Sequence, residues 1–198
     1  MAVSGSVGMA VVIADPTTPS TQAAVSSTGL KIDASATSFL TVAYKSAVTL
    51  TRPADTAAYA ANDVIGAATG STAAIEFASI GPNAGHIRLS SVALRIDATA
   101  LIASEAGYTL HFYSVTPPSA LGDNAAFDLP SGDRASYLGK IALGTPVDLG
   151  STLWIETHNI NKQLTLAGTS LFAYLVTDAG YTPTSARVHV ITLHAVSL

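Results

Sequence analysis

Five histidines are the residues of this chain best suited to bind a metal or transfer a proton, but their spacing fits neither task. A zinc site usually draws on ligands at short, regular separations. His189 and His194 are five residues apart on a predicted strand, so their side chains point to opposite faces. We therefore predict no metal site among them. The five are His86, His111, His158, His189 and His194.

The densest group of oxygen ligands lies between residues 119 and 134. A hard cation such as calcium could gather the side chains of Asp123, Asn124, Asp128 and Asp133. The spacing lacks the glycine and the final glutamate of an EF-hand loop, and Asp and Asn in turns commonly bond their own backbone. We predict no bound metal and keep calcium as the open alternative.

The remaining candidates for chemistry do not form a catalytic set. Trp154, Glu156 and His158 share one strand face and could line a carbohydrate pocket, but a half-exposed face explains them more simply. The chain has no Gly-x-Ser-x-Gly elbow, no P-loop and no Gly-x-Gly-x-x-Gly turn. Glu76 and Glu105 have no informative spacing from other carboxylates. We predict no enzyme activity, no catalytic residue and no cofactor.

The elements that position these residues are predicted to be strands. From residue 41 onward short apolar segments alternate with Gly-, Asn- and Pro-containing turns, and helical periodicity is nearly absent. About eight strands predict an all-β, antiparallel two-sheet sandwich with jelly-roll topology, and a sandwich of another topology is the alternative. The predicted strands span residues 41–50, 74–79, 87–97, 108–115, 137–143, 153–158, 171–177 and 187–196.

Two of these strands carry further detail. The apolar parity changes between Ile87 and Val92, at the pair Ser90–Ser91, which predicts a β-bulge or bend. The strand at 108–115 is apolar on both faces, so we expect a central strand covered on each side. Arg88 and Arg95 are predicted to lie on a solvated sheet face.

Composition favours a protein that assembles with others. Charged residues make up 11% of the chain, where about 25% is usual, so much of the surface must be neutral. Neutral surfaces suit packing against copies of the chain or a scaffold, although Ser and Thr hydroxyls could also keep such a surface hydrated. The net charge of −4 and the scattered cations argue against nucleic-acid binding.

Other classes are also disfavoured. The chain has no cysteine, so it can hold neither disulfides nor a thiolate metal site. Its N-terminus lacks a signal-peptide pattern, and residues 9–14 are too few to span a bilayer, so we expect a soluble protein without membrane contact. Residues 1–40 are rich in Ser, Thr, Ala and Gly, and we interpret them as an extended arm before a β-sandwich domain at 41–198.

One segment carries a family resemblance. Residues 50–66 read Leu-Thr-Arg-Pro-Ala-Asp-Thr-Ala-Ala-Tyr-Ala-Ala-Asn-Asp-Val-Ile-Gly, a strand end, a proline stop and a turn. This string resembles one in virion structural proteins of tailed bacteriophages, with Asn62 where glycine is common. Residues 15–30, 122–127 and 137–139 resemble the same group more loosely.

The resemblance implies a building block of a bacteriophage virion, most similar to capsid decoration or cement proteins. Such a protein would bind the major capsid protein at the outer surface of the icosahedral head, after assembly in the host cytoplasm. By analogy it would also form a homo-oligomer, with a trimer as the expected state. The alternative is a receptor- or glycan-binding module of a head or tail fibre, which would use the 119–134 loop and exposed aromatic side chains.

Overall fold

The computed structural model describes residues 25–26, 29–30, 41–70 and 72–198, and every regular element in these ranges is a β-strand. None of the described residues forms a helix that is long and apolar enough to cross a membrane. The strands are β1 (Val25–Ser26), β2 (Gly29–Leu30), β3 (Ala43–Thr51), β4 (Val64–Ile65), β5 (Ile75–Phe77), β6 (His86–Ile96), β7 (Tyr108–Tyr113), β8 (Tyr137–Gly144), β9 (Val147–Asp148), β10 (Leu153–Thr165), β11 (Leu171–Thr177) and β12 (Val188–Ser197).

The short strands β1 and β2 pair with each other in antiparallel fashion. The predicted arm over residues 1–40 otherwise lies outside the described residues. Thr41–Leu198 form a compact unit of their own, and the rest of the fold belongs to it.

That unit is a jelly roll. Sheet I has the strand order β3-β12-β6-β10-β9, and sheet II has the order β4-β11-β7-β8 with β5 also paired to β11. Every pairing is antiparallel. The first long strand pairs with the last, and most connections cross from one sheet to the other, which is the jelly-roll connectivity. The predicted fold is confirmed.

Alternation along the strands builds the core between the sheets. On β12 the side chains of His189, Ile191, Leu193 and Ala195 are buried, whereas their neighbours on the strand are partly exposed. Leucine, isoleucine and aromatic residues from both sheets fill the space between them. Each such side chain contributes about 1.5–3 kcal/mol when fully buried.

The predicted irregularity at Ser90–Ser91 is present. The pairing of β6 with β12 shifts by one residue after Ser91, so Ser90 has no partner in that ladder. Because of this bulge, Arg88 and Arg95 both face outward although they are seven positions apart, a spacing that puts side chains of a regular strand on opposite faces. Both are exposed, as predicted.

The prediction for β10 was too short. We expected the strand to end at His158 before a turn, but it continues to Thr165. Asn159 and Asn161 adopt positive φ angles of 55° and 50°, and the register with β6 shifts between His158 and Lys162. Asparagine tolerates this left-handed conformation, so the segment forms an irregularity within one long strand.

Candidate functional site

The segment that carries the family resemblance builds a buried polar cluster. Arg52, the residue after β3, has a fully buried side chain. Its guanidinium donates to the backbone carbonyl of Asp55 at 2.6 Å, to the Asp55 carboxylate at 2.9 Å and to the carbonyl of Thr184 at 3.2 Å. It also donates to the hydroxyl of Tyr59 at 3.1 Å. Arg52 therefore holds the turn that follows Pro53 in one conformation.

Asp123, from the distant loop, completes this cluster. Its Oδ1 accepts from the Tyr59 hydroxyl at 2.6 Å and from the backbone N–H of Gly66 at 2.8 Å, and its Oδ2 lies 3.7 Å from the Arg52 guanidinium. Burial, followed by the hydrogen bond to Asp123, raises the pKa of Tyr59 far above its usual value, although Arg52 acts in the opposite direction. A side chain at Gly66 would collide with Ala73, so the close approach requires glycine.

The backbones of the two resembling segments are also joined. Three hydrogen bonds between backbone N–H and C=O groups connect them. The N–H of Val64 donates to the carbonyl of Ala125 at 2.8 Å, and the N–H of Asn124 donates to the carbonyl of Val64 at 2.9 Å. The N–H of Phe127 donates to the carbonyl of Asn62 at 2.8 Å. Asn62 has a φ of 67°, a conformation that asparagine and glycine adopt most readily. This accounts for asparagine and glycine as alternatives at that position. Segments 50–66 and 122–127 thus form one structural unit.

A second buried polar group lies in the interior between the sheets. The Arg187 guanidinium donates to Glu105 at 3.0 Å, and both side chains are buried. Glu105 also accepts from the Tyr108 hydroxyl, which lies 3.3 Å from the hydroxyl of Tyr181. The rings of Tyr181 and Tyr59 are 5.4 Å apart and connect the two clusters. Burial, then the neighbouring Tyr181 and Glu105, raise the pKa of Tyr108.

These clusters were not predicted as sites. The signal in the sequence was an arginine beside a proline in a chain with few charges, but the sequence does not specify which acid it meets. The ion pairs Arg52–Asp123 and Arg187–Glu105 are both buried away from solvent, so we assign them a structural role. A buried pair of this kind adds little net stability, but loss of one partner leaves a costly unpaired charge.

The four side chains that could have formed an oxygen cluster have separate surroundings. Asp123 belongs to the Arg52 cluster, and Asp133 accepts from the backbone N–H of Ser119 at 3.2 Å. Asp128 is exposed and Asn124 is half-buried. Among residues 41–70 and 72–198, no three His, Cys, Asp or Glu side chains are placed to hold a metal ion.

The histidines are dispersed as their spacing suggested. His189 lies in the core with neither ring nitrogen hydrogen-bonded, and burial, followed by the nearby Arg187 and Arg52, lowers its pKa to about 3. His111 lies on the opposite sheet, where burial, then Lys140, lowers its pKa to about 4. His194 is half-buried on the outer side of sheet I, and His86 and His158 are exposed.

The outer side of sheet II is covered by the chain itself. Residues 119–134, the loop that the alternative function would use to bind a receptor or glycan, pack over Tyr113 and Tyr174 with Leu121, Phe127 and Leu129. The Tyr174 hydroxyl donates to the carbonyl of Ser119 at 3.1 Å and accepts from the N–H of Leu121 at 3.2 Å. We call this surface the covered face. Because residues 119–134 cover this side and the core covers the other, all six residues of β7 are buried, as predicted.

The outer side of sheet I is uncovered by any described segment. Four strands present mostly small neutral side chains there, and none of the outward-facing residues except Ala93 is buried. We call this surface the bare face. Its neutral residues include Ala43, Ala47, Thr49, Thr51, Ser91, Ala93, Val188, Val190, Thr192 and Val196.

Trp154, Glu156 and His158 lie at the margin of the bare face. The Glu156 carboxylate is 3.5 Å from Nε2 of His158, and Trp154 is half-buried beside Arg95. Both members of the pair are largely solvated, so their attraction is weak. The trio therefore lies on a half-exposed strand face, as the simpler interpretation predicted.

No family model and no curated protein sequence matches the chain. Solved virus structures align with it at low similarity, among them the following three. The native virion of Kashmir bee virus gives 11% identity over 79% of this chain and 70% of that chain, with a TM-score of 0.30. The full particle of Israeli acute paralysis virus heated to 63 degrees gives 13% identity over 79% and 71%, with a TM-score of 0.29. The T13 particle of IBDV gives 13% identity over 78% and 35%, with a TM-score of 0.26. TM-scores this low do not establish a shared fold, so the jelly-roll assignment depends on the strand order of this chain.

Proposed function

We propose that the protein is a structural component of a bacteriophage virion, a decoration or cement protein that binds the major capsid protein on the outside of the head. The observation that carries the proposal is the bare face, a four-stranded surface of mostly small neutral side chains that no described segment covers. The resemblance of residues 50–66 and 122–127 to phage virion proteins supports it, because these two segments form one structural unit.

The size of the bare face fits a weak contact that many copies repeat. Strands about 4.8 Å apart, with a rise of about 3.3 Å per residue, give a surface of roughly 20 by 30 Å. That is about 600 Å², below the roughly 800 Å² per partner of a stable interface. One copy would therefore bind weakly, and symmetric repetition on an icosahedral shell would supply avidity. The arm over residues 1–40 would add contacts to neighbouring subunits.

A charge placed on the bare face tests the proposal. Thr192 lies in the middle of this face, between Ala47 and Ala93. We expect Thr192→Glu to abolish binding of the full-length protein to purified heads that lack it, measured by co-sedimentation. Ala126→Glu adds the same charge to an exposed position on the covered side and should bind like wild type. Equal binding by both variants would contradict the role of the bare face.

Glycan or receptor binding is the second candidate, and Trp154 is the observation that favours it. This half-buried ring lies on the bare face beside Glu156, where an aromatic surface could stack on a sugar. Trp154→Ala should then eliminate glycan-array signals of the full-length protein. Decoration without glycan binding predicts no glycan signal for the wild type.

A further inference from the structure

Three of the four sheet edges in the described sandwich are unsuited to strand addition. The edge strand β9 has two residues and pairs only with Leu153 and Trp154. The rest of β10 is interrupted by the register shift between His158 and Lys162, where Asn159 and Asn161 adopt positive φ angles. The strands β4 and β5 have two and three residues. The pairing of β8 with β7 is interrupted by two register shifts, and Gly139 and Gly144 adopt φ angles of 94° and 85°. Short strands and bulges are the usual means by which proteins prevent pairing with another chain.

The fourth edge, β3, has none of these protections. It spans nine residues, and its register with β12 is unbroken from Thr51 to Ala43. Lys45 is its one charged residue. Within the described residues β12 is its only strand partner. The inward-facing Tyr44 and Val48 contact the core and are still partly exposed.

The hydrogen bonds at its two ends show which backbone groups are free. The backbone N–H of Arg52 donates to the backbone carbonyl of Arg187, and the backbone carbonyl of Val42 accepts from the N–H of Ser197. The backbone groups of the even-numbered residues therefore bond to β12. Antiparallel ladders alternate in this respect. The N–H and C=O groups of the odd-numbered residues therefore point away from the sheet, and no described residue pairs with them as a strand. They are Ala43, Lys45, Ala47, Thr49 and Thr51.

We propose that β3 pairs antiparallel with β3 of a second copy of this chain. Strand addition between two copies needs a free edge on each, and β3 is the one long free edge in the described sandwich that no bulge interrupts. The two copies must therefore meet edge to edge about a two-fold axis. The result is a dimer in which both copies of sheet I form one continuous sheet.

The sequence of β3 is complementary to itself in the register that pairs all nine residues. That register places the axis at Ala47, so Lys45 faces Thr49 and Tyr44 faces Leu50. No like charges meet, and the odd-numbered residues form about ten new backbone hydrogen bonds. A shift of the axis to Lys45 would instead oppose two lysines and leave residues unpaired. The chemistry thus selects one register.

This dimer does not depend on the virion role, although it would serve it. Joining two sheets edge to edge also joins two bare faces into a surface of roughly 1,200 Å², which exceeds the area that a stable interface needs on each partner. A monomeric protein could still bind heads. A dimer could equally form in a protein with another function, so the two proposals can fail separately.

The natural absence of cysteine allows a direct test with full-length protein. In the proposed register the two Ala47 Cα atoms lie about 5.5 Å apart, within the range of a disulfide. Ala47→Cys should form a covalent dimer rapidly under mild oxidation at micromolar concentration. Thr192→Cys lies in the same row one strand inward, with its two Cα atoms about 15 Å apart, and should remain uncrosslinked.

A second variant tests the hydrogen bonds. Ala47→Pro removes an outward N–H and leaves the ladder with β12 intact, a position at which edge strands tolerate proline. By sedimentation the wild type should have twice the mass of the chain and Ala47→Pro the mass of one chain, whereas Ala47→Val should remain dimeric. A wild-type mass of one or three chains, or equal crosslinking of the two cysteine variants, would overturn the proposal.

Discussion

The two outer surfaces of the sandwich differ in what the chain places on them. The covered face of sheet II is an aromatic layer beneath residues 119–134, which are fixed by hydrogen bonds and by the Arg52 cluster. The bare face of sheet I consists mostly of alanine, threonine and valine, with Lys45, Arg88 and Arg95 among them, and has no described cover. Large apolar side chains are stabilised by burial, whereas small neutral side chains can stay exposed to water and remain available for a contact with another protein. The difference predicts that substitutions affect stability on one side and binding on the other.

The largest expected effect is on the covered side, at Asp123. Asp123→Ala removes the acceptor of Tyr59 and Gly66 and leaves the Arg52 guanidinium without its buried carboxylate partner. We expect the free energy of unfolding to fall by about 3–5 kcal/mol. Urea denaturation measures this loss.

Asp128→Ala is the matched control, because this exposed aspartate lies in the same loop. Its stability should stay within about 0.5 kcal/mol of wild type. Similar losses in both variants would mean that the loop is sensitive throughout and that the buried cluster has no special part.

Acid should loosen the covered face, because His111 is buried there in its neutral form. Its pKa is lowered to about 4 in the folded state, so the unfolded chain binds more protons between pH 6.5 and 4. Stability is therefore complete above about 6.5 and falls through this window, by on the order of 2 kcal/mol once partial solvation is allowed for. His111→Gln should make the pH profile less steep, measured by urea denaturation at each pH, and leave the part that the buried His189 contributes with its pKa of about 3. An unchanged slope would argue against His111 as the cause.

A smaller effect is expected from Tyr174→Phe. This change keeps the ring beneath the loop and removes the hydroxyl that bonds Ser119 and Leu121. Loss of these hydrogen bonds should cost about 1–2 kcal/mol. Hydrogen exchange of the amides in residues 119–122 should accelerate while exchange in β12 stays unchanged. Uniform acceleration throughout the sandwich would show that the loop is not a separate unit of opening.

The smallest effect on stability is expected on the bare face. Thr192 is half-exposed, so the free energy of unfolding of the Thr192→Glu variant should stay within about 0.5 kcal/mol of wild type. The same protein should fail to bind heads. A large loss of stability would show that the bare face has a structural role, and would remove the contrast with the covered face.

The sequence by itself determined the strands and the fold class. Period-2 alternation depends on side chains of one strand, so β3, β7 and β12 could be located, and the parity change revealed the bulge at Ser90. The spacing of His189 and His194 was also sufficient to place them on opposite faces. In β10 the pattern failed, because asparagine at positive φ occurs both in turns and in bulges, and the sequence around Asn159 does not distinguish them.

Only the tertiary structure decided which distant segments meet. Residues 50–66 and 122–127 were noted separately, but their contact depends on the order of strands in sheet II. The sequence also did not show that the loop at 119–134 covers Tyr113 and Tyr174. The partner of Arg52 could not be chosen among thirteen acidic residues. The local pattern of a strand indicates which of its faces is buried. The pairing of distant strands depends on the geometry of the whole sheet. The bare face and its free edge could therefore be identified only in the folded chain.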